Sequence, residues 1–197
     1  MSLNPEFLQR VNQLYQCFIK HDAAMPDRIQ RYRNIEPESA QYLAMLIRIQ
    51  QSKRILEIGT STGYSTLWLA DAAQVTQGQV ITLEIDPERT KQAIEYANEL
   101  KVADVIDFWV GDAKDYLAEH QQQFDLILLD AERETYIEYW QYLQHMINPN
   151  GGVLIVDNVI SHAAEVKTFI SEVKQDTRFM TTTLSVGAGL FMVVLKS

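Results

Sequence analysis

Leu56-Glu57-Ile58-Gly59-Thr60-Ser61-Thr62-Gly63-Tyr64-Ser65 changes character at Gly59. Ahead of the glycine, Arg54–Ile58 is a short aliphatic run of strand type; behind Gly63, Tyr64–Ala73 has helical spacing. A strand that ends in a glycine turn and opens a helix is the first unit of an alternating α/β chain. The alternation continues in both directions. Strands are predicted at Gln79–Glu84, Val105–Val110, Asp125–Asp130 and Gly152–Asp157, with helices at Pro87–Leu100, Ala113–His120 and Glu134–Met146 between them. Runs such as Leu126-Ile127-Leu128-Leu129 and Val153-Leu154-Ile155-Val156 are apolar throughout. Parallel strands covered by helices on both faces read this way, and right-handed crossovers wind them into one sheet.

Boundary residues agree. Asp86-Pro87 supplies an N-cap and a first-turn proline, and Asn148-Pro149-Asn150-Gly151-Gly152 makes a turn into the fifth strand. After a helix near Ala163–Lys174, Met180–Ser185 and Leu190–Leu195 flank Val186-Gly187-Ala188-Gly189, which predicts a β-hairpin at the sheet edge. Helices near Glu6–Lys20 and Pro37–Gln50 precede the alternating part. The expectation is a single α/β domain over residues 1–197, with N-terminal helices in 1–52 and the ligand-binding core in 53–197.

Composition limits the functions. Of 197 residues, 47% are hydrophobic, enough for a full core, and the formal net charge of −9 disfavours a non-specific nucleic-acid binder. Cys17 is the only cysteine, so neither an intrachain disulfide nor a thiolate metal cluster can form. No apolar run reaches the ~20 residues of a membrane span. The opening Met1-Ser2-Leu3-Asn4-Pro5-Glu6 lacks a basic-then-apolar signal, so a cytoplasmic protein is expected.

Ligands of such sheets bind beyond the carboxyl ends of the strands. Gly59 and Gly63 let the backbone turn and approach a ligand, but the middle glycine of a dinucleotide fingerprint is missing. Glu57 suits a cationic group, such as the amino group of S-adenosylmethionine, better than a pyrophosphate. Glu84, ending the second strand, can accept from ribose hydroxyls. Asp112 either meets the adenine region or caps the helix that follows. The fourth strand ends at Asp130 and the fifth at Asp157-Asn158. Adjacent strands lie ~4.8 Å apart, so two carboxylates and an amide converge there as hard ligands for Mg²⁺ or Ca²⁺.

Together these stretches resemble the catechol and caffeoyl-CoA O-methyltransferase family, a cation-dependent branch of the class I methyltransferases. The likeness runs from about Glu36 onward and rests on residues 56–65, on Asp130-Ala131-Glu132-Arg133-Glu134-Thr135-Tyr136 and on Asp157-Asn158-Val159. It implies that Glu57, Gly59, Ser61, Gly63, Ser65 and Glu84 surround S-adenosylmethionine, with Gly111, Asp112 and Ala113 near the adenine and Asp130 beside the donor. It also implies Asp130, Asp157 and Asn158 as metal ligands, for Mg²⁺ first and for Ca²⁺ or Mn²⁺ as alternatives. A seven-stranded sheet with one antiparallel strand and a homodimer belong to the same expectation.

Two departures stand out. Relatives usually carry a lysine, assigned as base, where this chain has Arg133. Arginine keeps the charge but cannot accept a proton at ordinary pH. Asp130 and Arg133 are therefore the candidate catalytic pair, with Arg133 steadying an oxyanion unless it is merely a solvated helix-start arginine. Relatives also carry a longer glycine-containing loop after Asn158, where this chain passes through Ile160-Ser161-His162 into a helix. His162 reads as a surface residue or as part of the acceptor opening. Tyr136, Tyr139, Trp140 and Leu143 share a helical face and suit packing on the sheet or on a partner subunit.

The expected function is O-methylation of a catechol-like or vicinal-diol small molecule, with S-adenosylmethionine and a divalent cation. A tRNA hydroxyuridine O-methyltransferase is the rival within the same chemistry; it would need a basic patch from Arg28, Arg31, Arg33 and Arg48 beside the cleft. A cofactor-binding protein with altered or lost catalysis and a nicotinamide oxidoreductase are the remaining readings.

Overall fold

The computed structural model describes residues 4–196, so the readings placed on Met1, Ser2 and Leu3 lie outside the described residues. Two helices open the chain, α1 (Pro5–Ala24) and α2 (Pro37–Gln50). There follow β1 (Arg54–Ile58), α3 (Tyr64–Thr76), β2 (Gln79–Glu84), α4 (Pro87–Glu99), β3 (Ile106–Val110), α5 (Ala113–Glu119), β4 (Leu126–Leu129), α6 (Tyr136–Met146), β5 (Val153–Val156), α7 (Ala163–Gln175), β6 (Phe179–Leu184) and β7 (Leu190–Leu195). The seven strands form one sheet in the order β3-β2-β1-β4-β5-β7-β6. Strands β1 to β5 pair in parallel, while β7 runs antiparallel to both β5 and β6. The hairpin therefore reaches the sheet through its second strand, and β6 becomes the edge.

The caps explain where helices begin. Asn4 accepts from Glu6 N ahead of Pro5, and Asp86 accepts from Glu88 N and Arg89 N ahead of Pro87. Both β4 and β5 are buried at every position. Alternate residues serve opposite layers: Leu126 and Leu128 pack with α1, α2 and α3, whereas Ile127 and Leu129 pack with α5, α6 and α7. Tyr136, Tyr139, Trp140 and Leu143 belong to the second layer, which answers to the sheet-packing reading. Among the described residues no helix is long and apolar enough to cross a membrane.

The regular strands are shorter than the sequence runs. Val105 ends a 3₁₀ turn, and Asp125, Asp130, Gly152 and Asp157 fall just outside their strands. The backbone ladder nevertheless carries one step further, because Asp130 N donates to Ile58 O at 2.9 Å and Asp157 N to Leu129 O at 3.2 Å. The acids are thus fixed at the tips. Strand order reverses between β1 and β4, and there the crevice opens.

Candidate functional site

Gly59 brings the tips of β1 and β4 together. Its φ is +108°, and a Cβ at this position would stand 2.3 Å from Asp130 O, so no side chain fits. Gly63, with φ +87°, opens α3; a Cβ there would meet that of Ala93 at 2.7 Å, so α4 lies directly against the turn. Between them Ser61 takes a left-handed backbone, φ 48°. Two bonds hold it: Ser61 N donates to Glu84 Oε2 at 2.7 Å, and Ser61 Oγ donates to Tyr32 O at 2.7 Å. Glu84 Oε1 also accepts from Ile85 N and Asp86 N, each at 3.0 Å. A carboxylate offers about four acceptor sites, so roughly one remains for a ligand hydroxyl.

A cleft of about 690 Å³ lies over these tips. Of the sequence-chosen residues, Gly59, Ser61, Ser65, Glu84, Gly111, Asp112, Ala113, Asp130, Arg133 and Asn158 border it, while Glu57, Gly63 and Asp157 sit behind its wall. Asp112 borders the cleft, and its Oδ1 accepts from Lys114 N at 2.9 Å as the cap of α5. Glu57 is fully buried. Its Oε2 accepts from the Thr66 and Thr82 hydroxyls, and its Oε1 has no partner. Burial pushes this carboxyl up to about 7, against the nearby hydroxyls of Ser65, Thr66 and Thr82.

The three strand-tip oxygen carriers do converge. Asn158 Nδ2 donates to Asp130 Oδ1 at 3.0 Å and to Asp157 Oδ2 at 2.9 Å. Asn158 holds a left-handed φ of 64°, a conformation asparagine tolerates better than most residues. Asp157 is fully buried, and its Oδ1 has no hydrogen-bond partner. Burial, then the neighbouring Asp157 charge, raises Asp130 well above the usual carboxylate range. Burial also raises Asp157; the charge of Glu36 adds to this, while the Asn158 N–H and Arg133 oppose it. Two crowded carboxyls with an orphaned oxygen and an amide form a donor set that fits a divalent cation, once the amide turns its oxygen inward. No cluster of three His, Cys, Asp or Glu side chains able to hold a metal occurs among the described residues, so such a cation would depend on Asn158.

Arg133 is not a solvated helix-start residue. Its side chain is 9% exposed, its Nη1 lies 3.4 Å from Glu165 Oε2, and its Nε is buried without a partner. Its charge favours the ionised forms of both Asp130 and Asp157. His162 also borders the cleft, and its Nδ1 lies 2.8 Å from Ser161 Oγ.

The segment 25–36, which sequence patterning leaves featureless, crosses the cleft as a strap. Asp22 fastens it, accepting from Tyr32 N at 2.7 Å and Arg33 N at 2.9 Å. Arg89 holds Ile29 O and Arg31 O at 2.7 and 3.0 Å. Arg28 and Arg33 both reach Glu132, at 3.3 and 2.5 Å, and their charges lower its carboxyl against burial. Arg31 Nε donates to Met25 O, and Arg48 pairs with Asp71 away from the cleft. The four arginines therefore do not form the free basic patch that an RNA acceptor would need.

Residues 19–196 match the family described as O-methyltransferase. A catechol O-methyltransferase of Mycobacterium tuberculosis is 37% identical over 127 residues, 64% of this chain and 57% of that protein. One of Niastella koreensis is 34% identical over 131 residues, 64% of this chain and 58% of that protein. The matches thus span little more than half the length of these relatives. The solved O-methyltransferase from Bacillus cereus in complex with SAH is 26% identical, with a TM-score of 0.78 covering 100% of this chain and 93% of that one. With the sheet order, the glycine turn and the strand-tip acids in place, the match over 19–196 makes this chain a member of the O-methyltransferase family.

Proposed function

We propose that the chain is an S-adenosylmethionine-dependent O-methyltransferase acting on a catechol-like or vicinal-diol small molecule held beside a divalent cation. The observation that carries this reading is the single Asn158 amide drawing Asp130 and Asp157 together next to the Gly59 turn.

The residues divide the work. Glu84 keeps acceptor capacity for the donor's ribose, while Gly59, Ser61 and Ser65 form the floor under the donor. Gly111, Asp112 and Ala113 border the adenine end. Glu57 and Gly63 act from behind the wall, the first through the threonine pair and the second by seating α4. Bound S-adenosylmethionine supplies an electrophilic methyl group on sulfonium sulfur. Asp130, Asp157 and Asn158 would hold the cation, Mg²⁺ before Ca²⁺ or Mn²⁺, whose chemistry is to acidify an acceptor hydroxyl. Arg133 steadies the negative charge that develops on the acceptor oxygen; it accepts no proton.

Thermal unfolding with S-adenosylmethionine, NAD or NADP, each with and without Mg²⁺, tests the assignment. A ligand at 100 times its Kd stabilises the native state by about 2.7 kcal/mol. S-adenosylmethionine should raise Tm and the nicotinamide nucleotides should not. Mg²⁺-dependent methylation of simple catechols then follows. A response to NAD alone, or turnover indifferent to chelator, would sink the reading.

A further inference from the structure

Arg133 cannot take the acceptor's proton, which opens the part of proton acceptor to another element of the cleft. Glu36 meets that need from a different element. It stands at the N-cap of α2 yet caps nothing, its side chain making no hydrogen bond to the helix N-terminus. Its Oε2 instead accepts from Ala188 N at 3.3 Å, in the loop between β6 and β7. Ala188 O accepts in turn from Ile160 N and Ser161 N, both at 3.0 Å, which pins the turn that follows Asn158. Glu36 is thereby tied to the far side of the strand-tip cluster, and it borders the cleft with Asp130, Arg133 and Asn158.

We propose that Glu36 is the proton acceptor for the methylated hydroxyl, a role that rests on the O-methyltransferase reading above. The acceptor's O–H bond breaks and its proton passes to a Glu36 carboxylate oxygen. The electron pair left on the acceptor oxygen forms the new O–C bond. The donor's S–C bond breaks with its pair retained on sulfur, leaving a neutral thioether. Arg133 balances the charge on oxygen during the exchange, and Glu36 releases its proton to solvent through the mouth of the cleft.

The groups around Glu36 are consistent with this. Just past β5, Asp157 feels its negative charge; from α1, Tyr15 feels it together with that of Glu38. Arg33 borders the same cleft from Glu36's own segment, and Asp130, Arg133 and His162 border it from the segments after β4 and β5. His162 is the other base at hand. Its ring is engaged at Nδ1 by Ser161, whereas among the described residues Glu36 uses only Oε2, on Ala188 N, and keeps Oε1 for a ligand.

The test compares Glu36→Gln, Glu36→Asp, Glu36→Ala and His162→Gln with the wild-type chain, using a panel of catechols at saturating Mg²⁺. A positioned base contributes ~10²–10⁴-fold. Glu36→Gln should lose at least ~100-fold in kcat with little change in KM, and SAH should still raise its Tm as in the wild type. Glu36→Asp should recover part of the rate. In Glu36→Ala the rate should climb with hydroxide where the wild type is flat, and added acetate should restore turnover. Wild-type kcat in Glu36→Gln overturns the proposal alone, as does a loss confined to His162→Gln or a failure of acetate to rescue. No wild-type turnover on any catechol overturns this proposal and the catechol reading together.

Discussion

Glu57 shows how a buried carboxyl writes its surroundings into a pH profile. It ordinarily titrates near 4.5 but is held at about 7 in the folded chain, because burial penalises the anion more than the Ser65, Thr66 and Thr82 hydroxyls favour it. The folded state binds the proton more tightly than the unfolded one. Stability from this group is therefore complete below about 4.5 and is lost as pH rises through about 7. A difference of that size is worth at most about 3 kcal/mol. Glu57→Gln removes the anion, so its stability relative to wild type should improve by up to that amount between pH 5 and pH 8 in urea denaturation. Parallel curves for the two proteins would refute the assignment. The sequence pointed to Glu57 as a ligand-facing acid, but not to its complete burial, since the threonines that receive it lie 9 and 25 residues away. Asp130, Asp157 and Asn158 were legible because each ends an unbroken apolar strand, and strand tips in a parallel sheet must lie side by side. Glu36 was not. Its relation to Asp157 runs through the loop at Ala188, 152 residues further on.

At the level of elements, periodicity located β1, β2, β7 and α2 with their observed ends, because apolar runs and caps mark them from within. The strap was invisible for the opposite reason. Its order comes from a carboxylate on α1 and a guanidinium on α4, neither of which leaves a periodic trace. Asp22 is its clasp, and charge-assisted bonds of this kind contribute about 1.5–3 kcal/mol each. Asp22→Ala should free residues 25–36. Affinity for S-adenosylmethionine, measured by calorimetry, should fall about tenfold or more, and limited proteolysis within the strap should accelerate. The sheet and its helices should unfold with wild-type cooperativity, since α1 remains anchored by Phe7, Val11, Leu14 and Phe18. Unchanged affinity and unchanged proteolysis would show that the strap holds without its clasp.

For the molecule as a whole, the proposed cation site sets metal binding against protonation at the same oxygens. Asp130 and Asp157 are both held above the usual carboxylate range, so a divalent cation must displace protons they would otherwise retain. Mg²⁺ should raise Tm more at pH 8 than at pH 6, and Asp157→Asn should abolish the difference; equal shifts at both pH values would count against a cation at the strand tips. The net charge of −9 is no obstacle to this and adds a general attraction for cations. One consequence follows from the missing side chain at Gly59 and the bond from Asp130 N to Ile58 O. The two strand ends act as one jig, so on the proposed reading the spacing between methyl source and methyl destination would be set by main-chain atoms. Side chains around the rim could then be exchanged to suit a new alcohol without resetting the alignment of the proposed transfer, leaving the repertoire of acceptors free to drift while the reaction stayed the same.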